Sequence, residues 1–305
     1  MLKSLIKSKS HWDNLASPES KKDFNNKSWG GVAQVAQNHN YLITGDQNYY
    51  WIDYLKDRYF DQGNAGHTLS IGCGEGYIER LFKERGFSFD SVTGIDLSKK
   101  CTEAAQKRAE EIQLAPHIEY ITADLNNFVL PERKFDFIFF FHSLHHVEAL
   151  EKLLENCAQA LAPDGILMVN EFVGPTRFQW TKEQLREANK LFKFLPAELR
   201  LDLNANKEKM EIKTFTVEEM ISIDESEAVR SAEIEVVLKA FFNIVEEKNW
   251  GGTLTNLIFD NTAGNFDSKN EYHNSIANLL VHHENILIEK GLFPSDFKFF
   301  IGKPK

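Results

Sequence analysis

Basic charge, paired cysteines and long apolar stretches are all scarce in this chain. Its 305 residues hold 35 Lys and Arg against 45 Asp and Glu, a net charge of −10. Proteins that grip nucleic-acid backbones usually present a basic face, because phosphate neutralisation drives that binding. No nucleic-acid partner is therefore expected, and Lys3, Lys7, Lys9, Lys21 and Lys22 read as solvated surface charges. No apolar run approaches the roughly 20 residues of a membrane helix, and Met1-Leu2-Lys3-Ser4-Leu5-Ile6-Lys7 lacks the apolar stretch of a secretion signal. The three cysteines, Cys73, Cys101 and Cys157, are odd in number and widely spaced, with no Cys-x-x-Cys pair. That excludes a disulfide frame and leaves a structural zinc site little support. The expectation is a soluble, cytoplasmic protein with no membrane partner; the oligomeric state stays open.

Strand and helix patterns alternate from residue 67 to 171. Thr68 to Ile71 is a short apolar strand ending in glycines. Ile78, Leu81 and Phe82 share a helical face, and Gly86 stands where that helix should end. Val92 to Asp96 is a second strand, and Ser98 can cap a helix carrying Cys101, Ala105, Ala109 and Ile112 inward. Ile118 to Ala123 is a third strand. Phe135 to Phe141 is a nearly unbroken apolar run, as in a strand buried on both faces. Leu150, Leu153, Leu154, Cys157 and Leu161 trace a helix, Pro163-Asp164-Gly165 turns the chain, and Ile166 to Asn170 is a fifth strand.

Such alternation predicts a parallel α/β sheet with helices on both faces. Residues 1–66 read as an aromatic-rich helical cap, with Trp29, Tyr41, Tyr49, Tyr50, Trp51, Tyr54 and Tyr59. Residues 67–171 read as the ligand-binding core, 172–235 as an insert or lid after strand 5, and 236–305 as the rest of the same sheet domain. Ile234, Val237, Leu238, Phe241, Phe242 and Val245 form a helical stripe. Gly251-Gly252 opens a sixth strand to about Phe259, Ile276 to Leu287 is a late helix, and Phe297 to Ile301 a last strand. The total is a Rossmann-like sheet of seven strands.

Ligands of such sheets sit outside the carboxyl ends of the strands, where the strand order reverses. The run T-L-S-I-G-C-G-E-G-Y (68–77) spaces its glycines as Gly72, Gly74 and Gly76. The dinucleotide fingerprint wants its third glycine one place later, where Tyr77 stands, and a P-loop's Gly-Lys-Ser/Thr is missing. Asp96 ends the second strand in T-G-I-D-L-S (93–98), placed to accept both hydroxyls of a ribose. Asp124 ends the third in I-T-A-D-L (121–125), placed to accept from an adenine amino group. Either aspartate alone reads as a helix cap or turn residue; both together with the glycine turn make that reading improbable.

These motifs, with F-D-F-I-F-F-F-H-S-L-H-H-V (135–147) and A-L-A-P-D-G (160–165) following in order, resemble the class I S-adenosylmethionine-dependent methyltransferases, in their small-molecule branch. The resemblance covers residues 67–171. It implies S-adenosylmethionine as cofactor, its methionine part on the turn Gly72, Cys73, Gly74, Glu75, Gly76. Asp96 and Leu97 would hold the ribose, Ala123, Asp124 and Leu125 border the adenine, and Phe141 and His142 line the cofactor. Many members carry an acidic residue where Ser70 stands, so its role passes to Glu75 or to water. The segments I-T-G-D (43–46), E-F-V-G-P-T-R-F-Q-W (171–180), E-A-V-R-S-A-E-I (227–234) and G-N-F-D (264–267) are similar to members of one bacterial branch.

Methyl transfer from a sulfonium is an in-line displacement, so the enzyme mostly aligns nucleophile and methyl group and excludes water. A neutral acceptor must also lose a proton, and a base within reach helps. His145, His146 and Glu171, at the ends of strands 4 and 5, are the catalytic candidates; packing or helix capping is the plain alternative. Arg177 and Arg230 could bind a carboxylate or phosphate of the substrate, against a plain salt-bridge role. Tyr41 and its neighbouring aromatics could roof the pocket, although an aromatic stripe is more often core. No metal is expected, because adjacent helical residues such as His145 and His146 point apart and His283 falls on an apolar helix face. The reading is methyl transfer to a small-molecule acceptor, at oxygen, of a bacterial metabolite or glycan-related compound. N- or C-methylation stays open, as does a non-catalytic binding protein that kept the fold. A nicotinamide-dependent oxidoreductase would need the other glycine spacing.

Overall fold

The computed structural model describes residues 27–132 and 134–305; the early lysines and the opening segment lie outside the described residues. One sheet collects β1 (His67–Ile71), β2 (Ser91–Asp96), β3 (His117–Thr122), β4 (Phe135–Phe141) and β5 (Leu161–Phe172). A hairpin of β6 (Leu201–Asp202) and β7 (Lys207–Glu208) stands apart, and β8 (Phe242–Gly251) and β9 (Phe297–Pro304) complete the main sheet. The order is β3-β2-β1-β4-β5-β9-β8. Strands β1 to β5 are parallel, and β9 runs antiparallel to both β5 and β8. The strand order reverses between β1 and β4, the place where an open sheet leaves a crevice at its carboxyl edge.

Period-two alternation in β4 divides the core. Phe137 and Phe139 pack with Trp51, Phe82 and Phe172, whereas Ile138 and Phe140 pack with Leu150, Leu154 and Leu167. The exception in the run is Asp136, whose Oδ2 accepts the His67 amide at 2.8 Å and fixes the start of β1. Each buried phenylalanine contributes about 2–3 kcal/mol by burial alone, so this strand anchors both layers.

Helices cover both faces. From the cap come α1 (Ala33–Thr44) and α2 (Trp51–Tyr59); between the strands lie α3 (Tyr77–Glu84), α4 (Lys99–Glu111) and α5 (Leu150–Ala160). Ser98 caps α4 as its position suggested, its Oγ accepting the Cys101 amide at 3.2 Å. The insert holds α6 (Lys182–Lys193) and α7 (Val217–Ile223), each opened by a reciprocal capping box, Thr181 with Gln184 and Thr216 with Glu219. The C-terminal part adds α8 (Ile234–Phe241), α9 (Thr255–Phe259) and α10 (Glu271–Glu289). Among the described residues no helix is long and apolar enough to cross a membrane.

The chain departs from its pattern in two places. The helical stripe expected through Val245 stops at Phe241, and residues 242–251 become the edge strand β8. Pairing with β9 overrides the helical spacing there, and alternate side chains of β8 face solvent. The expected strand from Gly251 to Phe259 is instead a turn and the short helix α9. Buried Glu284 of α10 enforces this: its oxygens accept the amides of Gly252, Leu254 and Thr255 at 2.9, 2.5 and 2.8 Å. Those amides are thereby withdrawn from any ladder.

The cap's aromatics are mostly core. Trp51 stacks on Phe141 at 5.7 Å, and Trp29 stacks on Trp250 at 5.3 Å. The Tyr54 hydroxyl donates to Glu246 at 2.5 Å, and Tyr59 donates to the same carboxylate, clamping α2 onto β8.

Candidate active site

A cavity of about 270 Å³ opens at the carboxyl ends of β1, β2 and β4. Of the residues predicted to hold a cofactor, Gly72, Gly74, Asp96, Leu97, Asp124, Leu125 and His142 line it. Cys73, Glu75, Gly76, Ala123 and Phe141 are not among its lining residues. A second, open groove runs along residues 56–63 and Gly86, and it carries none of the predicted site residues.

The glycine turn is held from three sides. Gly72 and Cys73 donate their amides to the Ile95 carbonyl at 2.8 and 3.1 Å. Asp96 Oδ2 accepts the Gly74 amide at 2.9 Å while Oδ1 accepts that of Ser98 at 2.8 Å. Glycine is required at 72: its φ is +67°, and a Cβ there would stand 2.3 Å from the Ser143 Cβ. Ser143 itself donates to the Ile71 carbonyl at 2.7 Å, locking β4's end against β1's.

Asp124 is tied into its own loop. Its oxygens accept from the Asn126 amide at 3.0 Å and the Asn127 side chain at 2.8 Å. Asn126, which the sequence reading missed, lines the cavity and holds the Glu148 and Ala149 amides at 2.9 Å.

The acid that Ser70 lacks is not replaced by Glu75. That carboxylate is buried in an ion pair with Arg108 of α4. The carboxylate beside Ser70 belongs to Glu79 of α3. Burial raises it to about 7, with the Ser70 hydroxyl, its own backbone amide and Arg80 opposing and the Asp96 charge adding to the rise. The spacing of Glu79 to Phe82, three residues along an inward helix face, is the signal that could have found it.

The far end of the cavity gathers charge. Glu171 is fully buried at the end of β5. It accepts the Ser143 amide at 2.6 Å and the Phe172 amide at 2.8 Å, and its Oε2 lies 2.5 Å from Nδ1 of His145. The other ring nitrogen of His145 lies 3.4 Å from Glu227 Oε1. Burial would lower His145, but the charge and hydrogen bond of Glu171, joined by Glu227, outweigh it and lift the imidazole to about 10. The same partner holds Glu171 below its ordinary value despite burial. Burial and the charge on His145 keep His146 low, and burial first, then His145, takes His142 to about 4. His146 Nδ1 lies 3.2 Å from Ser226 Oγ, which donates to Asp224 Oδ1 at 2.8 Å.

His145 and His146 do not diverge as helical neighbours would. They sit on the 3-10 turn Leu144–His146, with ring centroids 4.2 Å apart. One ligand atom from each of His145, His146 and Glu227 lies within 4.8 Å of the others. The geometric ground for expecting no metal therefore does not hold.

Arg177 lines the cavity with unusual backbone, φ +56°, followed by Phe178 at +54°. Its Nη1 donates to the Glu225 and Glu227 carbonyls at 2.6 and 3.0 Å, so it pins the 224–229 loop to the cavity. That loop contributes Glu225, Ser226 and Val229 to the wall. Glu225 and Ser226 belong to no recognisable motif, and the acidic run D-E-S-E (224–227) is their trace in the sequence, whereas Val229 lies within E-A-V-R-S-A-E-I (227–234). Arg230 points elsewhere, its guanidinium bound to Glu151 at 2.6 Å and Glu233 at 2.6 Å near the surface. Tyr41 is 54% exposed on α1, and no described residue of the cap lines the cavity. His283 lies 3.4 Å from Glu187 of the insert, where apolar packing had been expected.

Comparison with known proteins bears on the domain and its fold. Residues 69–169 match the model of a methyltransferase domain family. Over 101 residues the chain is 32% identical to a ubiquinone biosynthesis O-methyltransferase of Coxiella burnetii, covering 33% of this chain and 41% of that protein. Over 125 residues it is 30% identical to the 27-O-demethylrifamycin SV methyltransferase of Amycolatopsis mediterranei, covering 40% and 45%. The chain thus spans less than half the length of these curated relatives. Among solved structures, phosphoethanolamine N-methyltransferase 2 of Haemonchus contortus, in complex with S-adenosyl-L-methionine, shares the fold. Its TM-score is 0.50 at 16% identity, over 93% of this chain and 60% of that one. From Leu69 to Val169, then, the chain carries a methyltransferase domain of the class I, S-adenosylmethionine-dependent family, set in a seven-stranded sheet that its flanking segments complete.

Proposed function

We propose that this chain transfers the methyl group of S-adenosylmethionine to an oxygen of a small molecule, a bacterial metabolite or glycan-related compound, in a reducing, cytoplasmic setting. The observation that carries the reading is one cavity bounded by the glycine turn, by carboxylates at two neighbouring strand ends, and by His146, beside which the His145–Glu171 pair is buried. The cavity suits the cofactor: Gly72 and Gly74 let the backbone of the turn approach a ligand beside the Asp96 carboxylate, Leu97 and Leu125 offer apolar faces for a flat base, and Asp124 stands beside them. Two relatives named for acting at oxygen favour an oxygen acceptor. Cys73, Cys101 and Cys157 form no disulfide, which suits a reducing compartment.

When bound, the sulfonium supplies an activated methyl carbon and leaves as a neutral thioether that keeps the C–S electron pair. This chain's residues then have two tasks. The insert, through Arg177, Ser226 and Val229, forms the acceptor side of the wall and aligns the nucleophile. Within the group His145, His146 and Glu171, the His146 imidazole, held low and on the cavity wall, accepts the acceptor's hydroxyl proton, while His145 and Glu171, an imidazolium–carboxylate pair, act by positioning the turn that carries it.

Calorimetry with S-adenosylmethionine and S-adenosylhomocysteine on wild type and Asp96→Ala tests the reading. Loss of charge-assisted hydrogen bonds to a ribose should cost about 3 kcal/mol, roughly 150-fold in Kd. An unchanged Kd would refute the assignment of Asp96, and no binding by wild type would refute the function.

A further inference from the structure

The group closing the cavity is built as more than a proton relay. His145 is fixed from behind: Glu171 Oε2 sits 2.5 Å from Nδ1, so Nε2 is the nitrogen turned toward Glu227, 3.4 Å away. A carboxylate behind one ring nitrogen is how metal-binding histidines are commonly oriented. The 3-10 turn sets the His146 ring alongside, and the loop pinned by Arg177 brings Glu227 in from the insert. Three atoms no more than 4.8 Å apart share a point within about 2.8 Å of each. Zinc-type bonds to nitrogen and oxygen need roughly 2.0–2.2 Å, so contraction by well under 1 Å per side chain would close the set. Asp224 and Ser226 stand behind His146 as a further support.

We propose that His145, His146 and Glu227 bind one divalent first-row transition-metal ion at the acceptor end of the cavity. Two imidazoles and one carboxylate suit Zn²⁺, Fe²⁺ or Co²⁺ better than Mg²⁺ or Ca²⁺, which prefer oxygen throughout. Three protein ligands leave coordination positions open, and His146 is the ligand of the three that lines the cavity. The consequence for catalysis rests on the methyl-transfer reading. A hydroxyl coordinated there becomes acidic at neutral pH, as metal-bound water does, and its proton passes to solvent before the oxygen meets the methyl carbon.

The test reads metal directly. Tag-free full-length chain is stripped with EDTA and titrated with Co²⁺ and with Zn²⁺, bound metal being measured by mass spectrometry and by cobalt d–d absorption. Wild type should bind one ion per chain. Glu227→Gln and His146→Asn should each bind at least about tenfold more weakly, with the far-UV circular dichroism of wild type retained. Wild-type binding no tighter than that of the variants, or no cobalt spectrum at all, overturns the site. S-adenosylhomocysteine binding measured on the same stripped protein separates the two ideas: its persistence without metal binding would remove the ion and leave the methyl-transfer reading standing.

Discussion

Glu79 offers a quantitative test of how the glycine turn is supported. Its carboxyl is fully buried beside Ser70, and no full hydrogen bond compensates its oxygens. Burial raises it from 4.5 to about 7. Below pH 4.5 the group is protonated in both native and unfolded chains and costs nothing. As pH rises from 4.5 to 7 the unfolded chain releases this proton while the native one keeps it, so stability falls across that window. The loss is complete above pH 7 and amounts to about 3 kcal/mol, from some 2.5 units at roughly 1.4 kcal/mol each. Glu79→Gln cannot titrate. Its unfolding free energy, measured by urea denaturation from pH 4.5 to 8.5, should match wild type at the acid end and exceed it by about 3 kcal/mol at pH 8. A difference between the two proteins that stays constant with pH would refute the reasoning, because no other group is altered.

Two further outcomes follow from packing and from charge. Gly72→Ala combines a strained positive φ with a Cβ 2.3 Å from Ser143, whereas Gly74→Ala meets open space; urea denaturation should show a loss of about 3 kcal/mol for the first and about 1 kcal/mol for the second. Arg230→Ala removes a near-surface pair with Glu151 and Glu233, so stability should drop by about 1 kcal/mol or less and the Kd for S-adenosylhomocysteine should not move.

The cofactor end of the site was legible because a parallel sheet converts chain order into position. Gly72, Asp96, Asp124 and His142 each end a strand, and strand ends converge whatever the intervening helices contain. The acceptor end was not. Asn126, Ser226 and Val229 reach the wall through loop anchoring, by the Asp124 turn in one case and Arg177 in the others, and hydrogen bonds of that kind leave no periodicity. Residues 242–245 misled because an edge strand with half its side chains solvated can share spacing with a helix; only pairing with β9 decides. Arg177 and Arg230 are alike in sequence, yet one is turned inward by a left-handed backbone and the other is captured by two surface glutamates.

The placement of β9 bears on how the chain reaches its native state. It is the strand between β5 and β8, yet it follows both in sequence, β5 by more than a hundred residues. Until it arrives, β5 presents an unsatisfied edge and β8 has no neighbour. Such remote pairing raises contact order and slows assembly. During that interval Val169, on β5, and Ile244, on β8, form sticky rims of the kind that seed association between nascent copies. Slow, concentration-sensitive refolding is the outcome expected from this sheet topology.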